Sequence, residues 1–499
     1  MVRGLIAAVL AGMLGAPARC AEIDVRETQL FIDDAIIEST TLLQRVIHQP
    51  IRYSMNPLFS PEEPWEGTGL NYLGGVFRDE KTGQFRAWYV GTVSGNVPGM
   101  PKVFFPICLI TSQDGIKWTR PKLDVNSHLT GGPNNIVLHL ESGCIAAPNI
   151  LHNPDDAQRP WKLIIHHSPT TPCRYNVRLA SSADGVHWQW ETEGGFHAGF
   201  HDRLTAMFDP VDKSAPYLLF SRPGSVARDN PLLYADRVRT REVYQARLAA
   251  DGRSLSTTPR LTVRADLEDD PFTEVYHMSA FRYKSLYLGY LLLYRSHESP
   301  SGELELITSR DGVNWQRPRP RTPFIPSLLP EGRKSGQWDA GGVQPVLNGP
   351  IVHQDALWIY YYGQPAFHDN RHLKGDGRLG LARIRMDGFA SLRAKWREGY
   401  VTTKPFLWTG GKLRVNCEIT GGNGTREDAW VRTAILDEAG QSLPGFSRAE
   451  SDAIVMDVVA GEPTWSGKSQ DLQHLAGKRI RLRFFLREAE IYSFRADNS

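Results

Sequence analysis

A short motif recurs along this chain and constrains its fold more than any other feature of the sequence. The pattern Ser-x-Asp-Gly-x-x-Trp occurs three times, and the chain also contains two shorter copies that keep the Asp-Gly pair. The full copies are residues 111–118, 181–188 and 308–315, and the degenerate copies are residues 251–255 and 387–392. Successive copies are about 60–75 residues apart. Five units at this spacing indicate a repeat architecture, in which similar units pack side by side.

Each copy contains the residues of a tight turn followed by a large apolar side chain. An Asp-Gly pair between β-rich segments supplies the positive φ that a short hairpin requires. We expect the Trp or Leu that follows to pack back onto its sheet. The motif is therefore interpreted as structural, and its aspartates are poor catalytic candidates.

A second hairpin precedes the motif in each unit. The first unit has apolar segments at 75–77 and 85–89, which flank a polar turn. The corresponding pairs in the other units are 149–151 with 161–165, 207–208 with 217–220, 280–283 with 286–294, and 344–347 with 357–362. Two hairpins per unit make four strands, which is the blade of a β-propeller. The sequence thus predicts an all-β chain with a five-bladed β-propeller, and the segment 30–33 is expected to close its ring.

The pattern changes after Pro405, where short alternating strands are separated by polar turns. Strand-like segments lie at 410–417, 479–486 and 491–494. This pattern over about 90 residues is typical of a β-sandwich. We therefore expect a propeller over residues 22–405 and a C-terminal β-sandwich over residues 406–499.

The first residues have the pattern of a secretory signal peptide. Arg3 gives a positive start, the segment 5–14 is apolar, and Ala16-Pro17-Ala18 supplies small residues before a cleavage point. The apolar run is too short to span a bilayer, and no later stretch approaches about 18 apolar residues. The sequence predicts a signal peptide over residues 1–21 and a secreted or periplasmic protein without a membrane span.

Charge and motif content argue against several kinds of partner. The chain has 57 basic and 55 acidic residues and no long basic run, so nothing indicates a nucleic-acid partner. The five cysteines form no Cys-x-x-Cys pair, and therefore no metal site is predicted. Neither a nucleotide-binding glycine loop nor a serine-hydrolase elbow occurs. We predict no metal and no other cofactor.

Candidate functional residues are selected by the geometry of a propeller rather than by adjacency in the sequence. The innermost strand of each blade lines a central channel, and side chains at the start of these strands converge at its mouth. Those positions hold polar or aromatic residues: Glu66, Asn71, Glu141, His201, Asp202, Glu274, Tyr276, His277, Trp338 and Asp339. Several blades therefore offer a carboxylate to one place.

Convergent carboxylates are what the hydrolysis of a glycosidic bond requires. One carboxylic acid protonates the leaving oxygen, while a second carboxylate acts on water or on the sugar itself. A third carboxylate nearby raises the pKa of the acid by like-charge repulsion. We assign Asp202 as base or nucleophile, Glu274 as general acid, and Asp339 as the group that raises the pKa of the acid and holds the substrate.

The other residues near the mouth are assigned to substrate binding. Trp65, Trp338 and Tyr362 offer flat apolar faces that suit stacking on sugar rings. His368 offers hydrogen bonds to hydroxyl groups. The remaining members of this set are Glu66, Asn71, Glu141, His201, Tyr276 and His277.

Two arginines in the third unit are weighed separately. Arg222 and Arg241 follow strands of that unit and are candidates for holding an acidic or hydroxyl-rich ligand. The alternative is that both are ordinary surface arginines.

The chain resembles the invertase- and arabinanase-type five-bladed propeller glycosidases. Within that superfamily it is most similar to exported propeller proteins of planctomycete-like bacteria. The resemblance rests on the Asp-Gly repeats and on residues 30–34, 85–89, 361–363 and 413–416. It implies the propeller fold and a carbohydrate partner over nearly the whole mature chain. The opening strand and the Arg-Asp-Pro and Glu-Cys signatures of invertase-type enzymes do not occur here, so no catalytic residue is transferred from them.

Three functions agree with these observations. The first is a glycoside hydrolase that acts on polysaccharide or oligosaccharide, and the second is a carbohydrate-binding propeller that performs no chemistry. A glycoside phosphorylase would need a basic phosphate pocket, which the sequence pattern does not indicate. A propeller hosts all three, so the site must decide between them.

Overall fold

Strands form nearly all of the regular structure, as the alternating apolar pattern predicts. The computed structural model describes residues 23–67, 69–91, 93–94, 103–140, 144–168, 175–223, 241–295, 301–329, 336–366, 377–421, 428–469 and 471–497. Within these ranges the helices are three short 3-10 turns, Pro64–Glu66, Ser127–Leu129 and Leu472–Leu475. No described helix has the length and hydrophobicity that crossing a bilayer requires. The prediction of an all-β chain is confirmed, while the predicted signal peptide lies outside the described residues.

The first three repeat units each form a four-stranded antiparallel sheet, which we call sheets I, II and III in chain order. Their strands are Leu70–Arg78, Phe85–Gly91, Ile107–Ser112 and Ile136–Leu138 in sheet I; Cys144–His152, Trp161–Ser168, Asn176–Ser182 and Trp188–Trp190 in sheet II; and Phe200–Phe208, Tyr217–Pro223, Glu242–Leu248 and Arg260–Arg264 in sheet III. Each strand pairs with the next one along the chain, which is the order that two successive hairpins give.

The last two repeat units form sheets IV and V, which share one parallel bridge between Gly302 and Gly342. Their strands are Thr273–Tyr283, Leu286–Arg295, Ser301–Ser309 and Trp315–Gln316 in sheet IV, and Gly342–Pro345, Ile351–His353, Ala356–Gln364, Arg378–Arg385 and Ile51–Arg52 in sheet V. The outer strand of sheet V thus comes from the N-terminal part of the chain.

The first strand of each of sheets I to IV contacts its counterpart in the next sheet. Leu70–Arg78 contacts Cys144–His152, and Cys144–His152 contacts Phe200–Phe208. Phe200–Phe208 then contacts Thr273–Tyr283. Sheet V contacts sheet I through Ala356–Gln364 and Leu70–Arg78. The contacts therefore run from sheet I through sheet V and back to sheet I.

The Asp-Gly-x-x-Trp motif forms the turn that was predicted. In the first copy, Asp114 Oδ1 accepts hydrogen bonds from the backbone N–H groups of Ile116 and Lys117 at 2.8 and 2.7 Å. Gly115 has a φ of +73°, and its carbonyl accepts a hydrogen bond from the indole of Trp118 at 3.2 Å. The structural role of the motif is confirmed.

The C-terminal part of the chain contributes to two sheets that share one apolar core. One sheet contains Gln29–Leu30, Gln44–Ile47, Ala390–Ala394, Lys412–Ile419, Val458–Gly461 and Ala489–Asp497; the other contains Ile37–Thr41, Gly399–Thr403, Phe406–Leu407, Trp430–Leu436 and Arg479–Arg487; two small hairpins pair Val93–Ser94 with Val103–Phe104 and Thr464–Trp465 with Lys468–Ser469. Two of these strands precede residue 405, the predicted boundary between domains, because they pair with the C-terminal strands.

The segment 30–33 does not close sheet V, as was expected from the sequence. Leu30 instead lies opposite Ser493 in a C-terminal sheet. The reason is visible at the next residue, where the fully buried ring of Phe31 packs against Phe484 and Phe494. Leu30 points to the other side and joins the core of sheets IV and V. Alternation along this short segment therefore fastens the two parts of the protein together.

Candidate functional site

The residues predicted for the site lie at the starting ends of the first strands or close to them in the sequence. His201 and Asp202 belong to Phe200–Phe208, and Glu274 belongs to Thr273–Tyr283. The structure describes the backbone of these strands, but the side chains of Asn71, His201 and Asp202 are not described. Glu141 and His368 lie outside the described residues.

Three arginines surround the ring of Tyr276. The guanidinium carbons of Arg203, Arg222 and Arg241 lie 4.9, 5.0 and 5.2 Å from the ring centroid. Arg203 donates hydrogen bonds to the hydroxyl of Tyr276 at 3.4 Å and to Gln344 Oε1 at 3.2 Å. Because these residues belong to sheets III, IV and V, the arginine cluster joins three sheets at one point.

The arginine cluster controls the protonation of its neighbours. Burial favours the neutral form of Tyr276, but the charges of Arg203 and Arg222 outweigh it and lower the pKa of the phenol below its usual value. Burial and the same two charges lower the pKa of His277 to about 3. His277 is therefore neutral at physiological pH, and its Nδ1 atom has no hydrogen-bond partner among the described residues.

Glu274 lies beside the same cluster and forms an ion pair with Arg241. Its side chain is 14% exposed, so solvent still reaches the carboxylate. The backbone also fixes this pair, since the N–H of Val275 donates to the carbonyl of Arg241 at 3.2 Å. The second predicted catalytic residue is thus accessible and is held by a cation.

Asp339 occupies a different environment, in which its carboxylate is fully buried. Its oxygens accept hydrogen bonds from Arg52 at 3.0 Å, from the hydroxyl of Tyr361 at 2.7 Å and from Gln337 at 3.0 Å. The ring of Trp338 stacks on Tyr361, with centroids 5.8 Å apart. Since protein donors occupy the carboxylate, Asp339 acts here as a group that positions the Trp338 segment rather than one that faces a substrate.

Trp65 and Glu66 form a third group on the side of sheet I. The indole of Trp65 donates to Asn135 Oδ1 at 2.8 Å. Glu66 is fully buried and accepts two hydrogen bonds from Arg120, both at 2.9 Å, as well as one from Tyr89. Burial acts to raise the pKa of Glu66, but Arg120 and backbone N–H groups overcome it and lower that pKa. Glu66 therefore belongs to a buried ion pair that stabilises its loop.

Tyr362 connects the fifth sheet to the arginine cluster. It lies opposite Gln344 in the sheet, and Gln344 accepts the hydrogen bond from Arg203. The hydroxyl of Tyr362 donates to Gln364 at 2.9 Å, and the ring is buried. Its stacking face is therefore largely covered by protein.

The structure gathers some of the predicted residues and separates others. Glu274, Tyr276 and His277 come together at the arginine cluster, whereas the Trp338–Asp339 and Trp65–Glu66 groups make their own contacts. Arg203 and Gln344 were missed. The signal for Arg203 was available, because it directly follows His201 and Asp202 at the start of an inner strand.

A separate cleft of about 580 Å³ lies between sheet V and the C-terminal sheets. Its arginines are used in packing: Arg385 donates to Asn416 Oδ1 at 2.8 Å, and Arg383 lies 4.2 Å above the Trp358 ring. None of the predicted site residues lines this cleft. In the described ranges, no three His, Cys, Asp or Glu side chains are grouped as a metal site requires.

Comparisons with known proteins give only distant likenesses. No family model matches the sequence. No curated protein matches it either. Three solved structures illustrate the likenesses: an N-acetylgalactosamine deacetylase from F. plautii (14% identity, 70% of this chain and 97% of that chain, TM-score 0.44), a β-1,2-mannobiose phosphorylase from Listeria innocua (15%, 68% and 97%, 0.44) and an exo-β-1,3-galactanase from Phanerochaete chrysosporium (11%, 87% and 99%, 0.40). These proteins are named for three different reactions, and at such low identity the likeness assigns none of them to this chain.

Proposed function

We propose that this protein is an exported glycoside hydrolase in which sheets I to V are the blades of a five-bladed β-propeller and the C-terminal sheets form a β-sandwich. The circular order of contacts between the sheets supports the propeller, since each blade touches only its neighbours in such a ring. The shared apolar core of the two C-terminal sheets supports the sandwich. The signal-peptide pattern at residues 1–21 supports export to the periplasm or the medium.

The observation that carries the proposed function is the meeting of three sheets at the arginine cluster. Arg203 of sheet III reaches Tyr276 of sheet IV and Gln344 of sheet V through hydrogen bonds. Such contacts require the first strands to converge, and Asp202 and Glu274 lie on two of those strands. Two carboxylates and several donors at one point are the components that glycoside hydrolysis uses.

The two carboxylates have complementary tasks in this proposal. Asp202 acts as base on water or as nucleophile at the sugar carbon, and Glu274 protonates the leaving oxygen. Glu274 must leave Arg241 and carry a proton to do so, which means that Arg241 moves when substrate binds. Asp339 contributes by holding Trp338, so that the indole is positioned beside the site.

Sugar release by protein lacking residues 1–21 tests the proposal. The assay uses aryl glycosides together with plant and marine polysaccharides, and it compares wild type with Asp202→Asn and Glu274→Gln. Each substitution is expected to lower turnover by about 10²–10⁴-fold, the usual contribution of a general acid or base. Asp155→Asn, an exposed carboxylate in a turn of sheet II, serves as the matched control and should keep full activity.

Two results would overturn this assignment. Full activity of Asp202→Asn or Glu274→Gln would remove that residue from the chemistry. If no substrate is cleaved while wild-type protein retains glycan binding, the protein is instead a carbohydrate-binding propeller without catalytic activity.

A further inference from the structure

The arginine cluster concentrates positive charge to a degree that glycoside hydrolysis does not require. Three guanidinium groups lie within about 5 Å of a single ring centroid, and Glu274 is the carboxylate paired with one of them. Three positive charges and one negative charge give these four side chains a net formal charge of +2. Like charges held this close repel each other, so the arrangement favours an additional anion.

The geometry points to a site for an oxyanion at the arginine cluster, formed by Arg203, Arg222 and Arg241 together with His277. This inference rests on the proposed function and specifies its substrate class. The oxyanion is either the carboxylate or sulfate group of an acidic saccharide, or free inorganic phosphate. Guanidinium groups suit all three, because their planar donors match pairs of oxygen atoms.

Accessibility supports a ligand of this kind. Arg203, Arg222 and Arg241 are all partly exposed, so an incoming group can reach them. Their backbones lie on different strands, or beside them, and Arg203 is fixed by its hydrogen bonds to Tyr276 and Gln344. The cations are thus oriented before a ligand arrives, which lowers the entropy that binding costs.

His277 gives a second and independent observation. It is 5% exposed, and its Nδ1 atom has no hydrogen-bond partner among the described residues. A buried ring nitrogen without a partner is unfavourable, and a ligand or water that bonds to it removes this cost. The neutral state of this ring, which follows from its lowered pKa, allows it to donate one hydrogen bond without adding a fourth cation.

Calorimetric binding at constant ionic strength tests the site. Sodium sulfate, sodium phosphate and sodium D-glucuronate are titrated into protein lacking residues 1–21, with D-glucose as the neutral reference. At least one oxyanion should bind wild type, and Arg222→Gln should weaken that binding by tenfold or more. Arg260→Gln, an exposed arginine on the outer strand of the same sheet, should leave the binding unchanged.

The outcomes separate the two sources of the oxyanion. Binding of glucuronate or sulfate indicates a group carried by the saccharide, and a uronate oligosaccharide should then bind at least tenfold more tightly than its carboxyl-reduced form. Binding of phosphate alone indicates free phosphate. The inference is overturned if no oxyanion binds wild type more tightly than glucose does, or if Arg222→Gln binds as wild type does. The wild-type titrations hold even if Arg222→Gln fails to fold.

Failure of this inference is distinguishable from failure of the proposed function. Sugar release that depends on Asp202, with no oxyanion binding, would leave the hydrolase in place and remove the oxyanion site. Oxyanion binding that depends on Arg222, with no sugar release from any substrate, would keep the site and remove the hydrolase.

Discussion

The indole N–H of Trp88 in sheet I donates a hydrogen bond to the carbonyl of Gly185 in the Asp-Gly turn of sheet II, at 2.9 Å. The other two full copies of the motif accept equivalent bonds from a neighbouring sheet: Tyr360 donates to Gly115 at 2.8 Å, and Gln245 donates to Gly312 at 3.2 Å. The repeated turn therefore has two functions, because it closes the outer hairpin of its own sheet and also fastens that sheet to the next.

Replacement of Gly185 by Ala should destabilise the protein by about 2 kcal/mol. Gly185 has a φ of +77°, a conformation that costs other residues about 1–2 kcal/mol. A Cβ atom there would also lie 2.7 Å from Cζ2 of Trp88, so the indole would have to move. The free energy of unfolding from urea titration measures the effect.

The control for this prediction is Gly194→Ala in the same sheet region. A Cβ atom at Gly194 meets no other atom within 4 Å. Its unfolding free energy should therefore stay within about 0.5 kcal/mol of wild type. Equal stability of the two variants would show that the contact between Trp88 and Gly185 does not constrain the turn.

Tyr361→Phe should destabilise the protein by about 2 kcal/mol. The hydroxyl of Tyr361 donates to the buried carboxylate of Asp339, and hydrogen bonds to charged groups contribute about 1.5–3 kcal/mol. Burial and the charge of Asp339 also raise the pKa of Tyr361, so the hydroxyl keeps its proton throughout the usual pH range. Thermal and urea unfolding measure the loss.

Tyr290→Phe is the matched comparison for this substitution. Tyr290 is fully buried, and its hydroxyl has no hydrogen-bond partner among the described residues. Removal of an unpaired buried hydroxyl should be neutral or stabilising. If Tyr290→Phe is the more damaging of the two, the bond between Tyr361 and Asp339 does not have the assigned importance.

Much of the fold was predictable because its determinants are local. The Asp-Gly pair fixes each turn through the side chain of the Asp and the positive φ of the Gly, and both appear in the sequence. The partner of Leu30 was not predictable in the same way. Its pairing with Ser493 depends on where Phe31 buries its ring, which is decided by residues more than 400 positions away.

The candidate site was only partly predictable, for a related reason. The sequence identifies carboxylates at the starts of inner strands, but it does not show which of them a cation holds. Glu66 with Arg120 and Glu274 with Arg241 are pairs between distant segments, and both change what the carboxylate can do. Only the packing of one sheet on another reveals them.

Glu490 in the C-terminal core should make the stability of the protein depend on pH below about 4.5. The carboxylate is 1% exposed and receives hydrogen bonds from Arg393 at 2.6 Å and from Ser391, with His48 at 3.0 Å. Burial acts to raise its pKa, but hydrogen bonds from His48 and Ser391 and the charge of Arg393 lower the pKa to about 2.

The sign of the effect follows from that depressed pKa. A group whose pKa is lower in the folded state stabilises the fold at pH values above its unfolded pKa, here about 4.5. The contribution, about 3 kcal/mol at one pKa unit per 1.36 kcal/mol, is lost as the pH falls from about 4.5 towards 2. Glu490→Gln should therefore be about 3 kcal/mol less stable than wild type at pH 7, and this difference should shrink as the pH approaches 2. Urea titrations of both proteins between pH 2.5 and pH 7 measure the difference, with Glu438→Gln, a surface carboxylate 61% exposed, as a control that should follow wild type. A constant difference between Glu490→Gln and wild type across this range would mean that the carboxylate is not the group whose protonation weakens the C-terminal core.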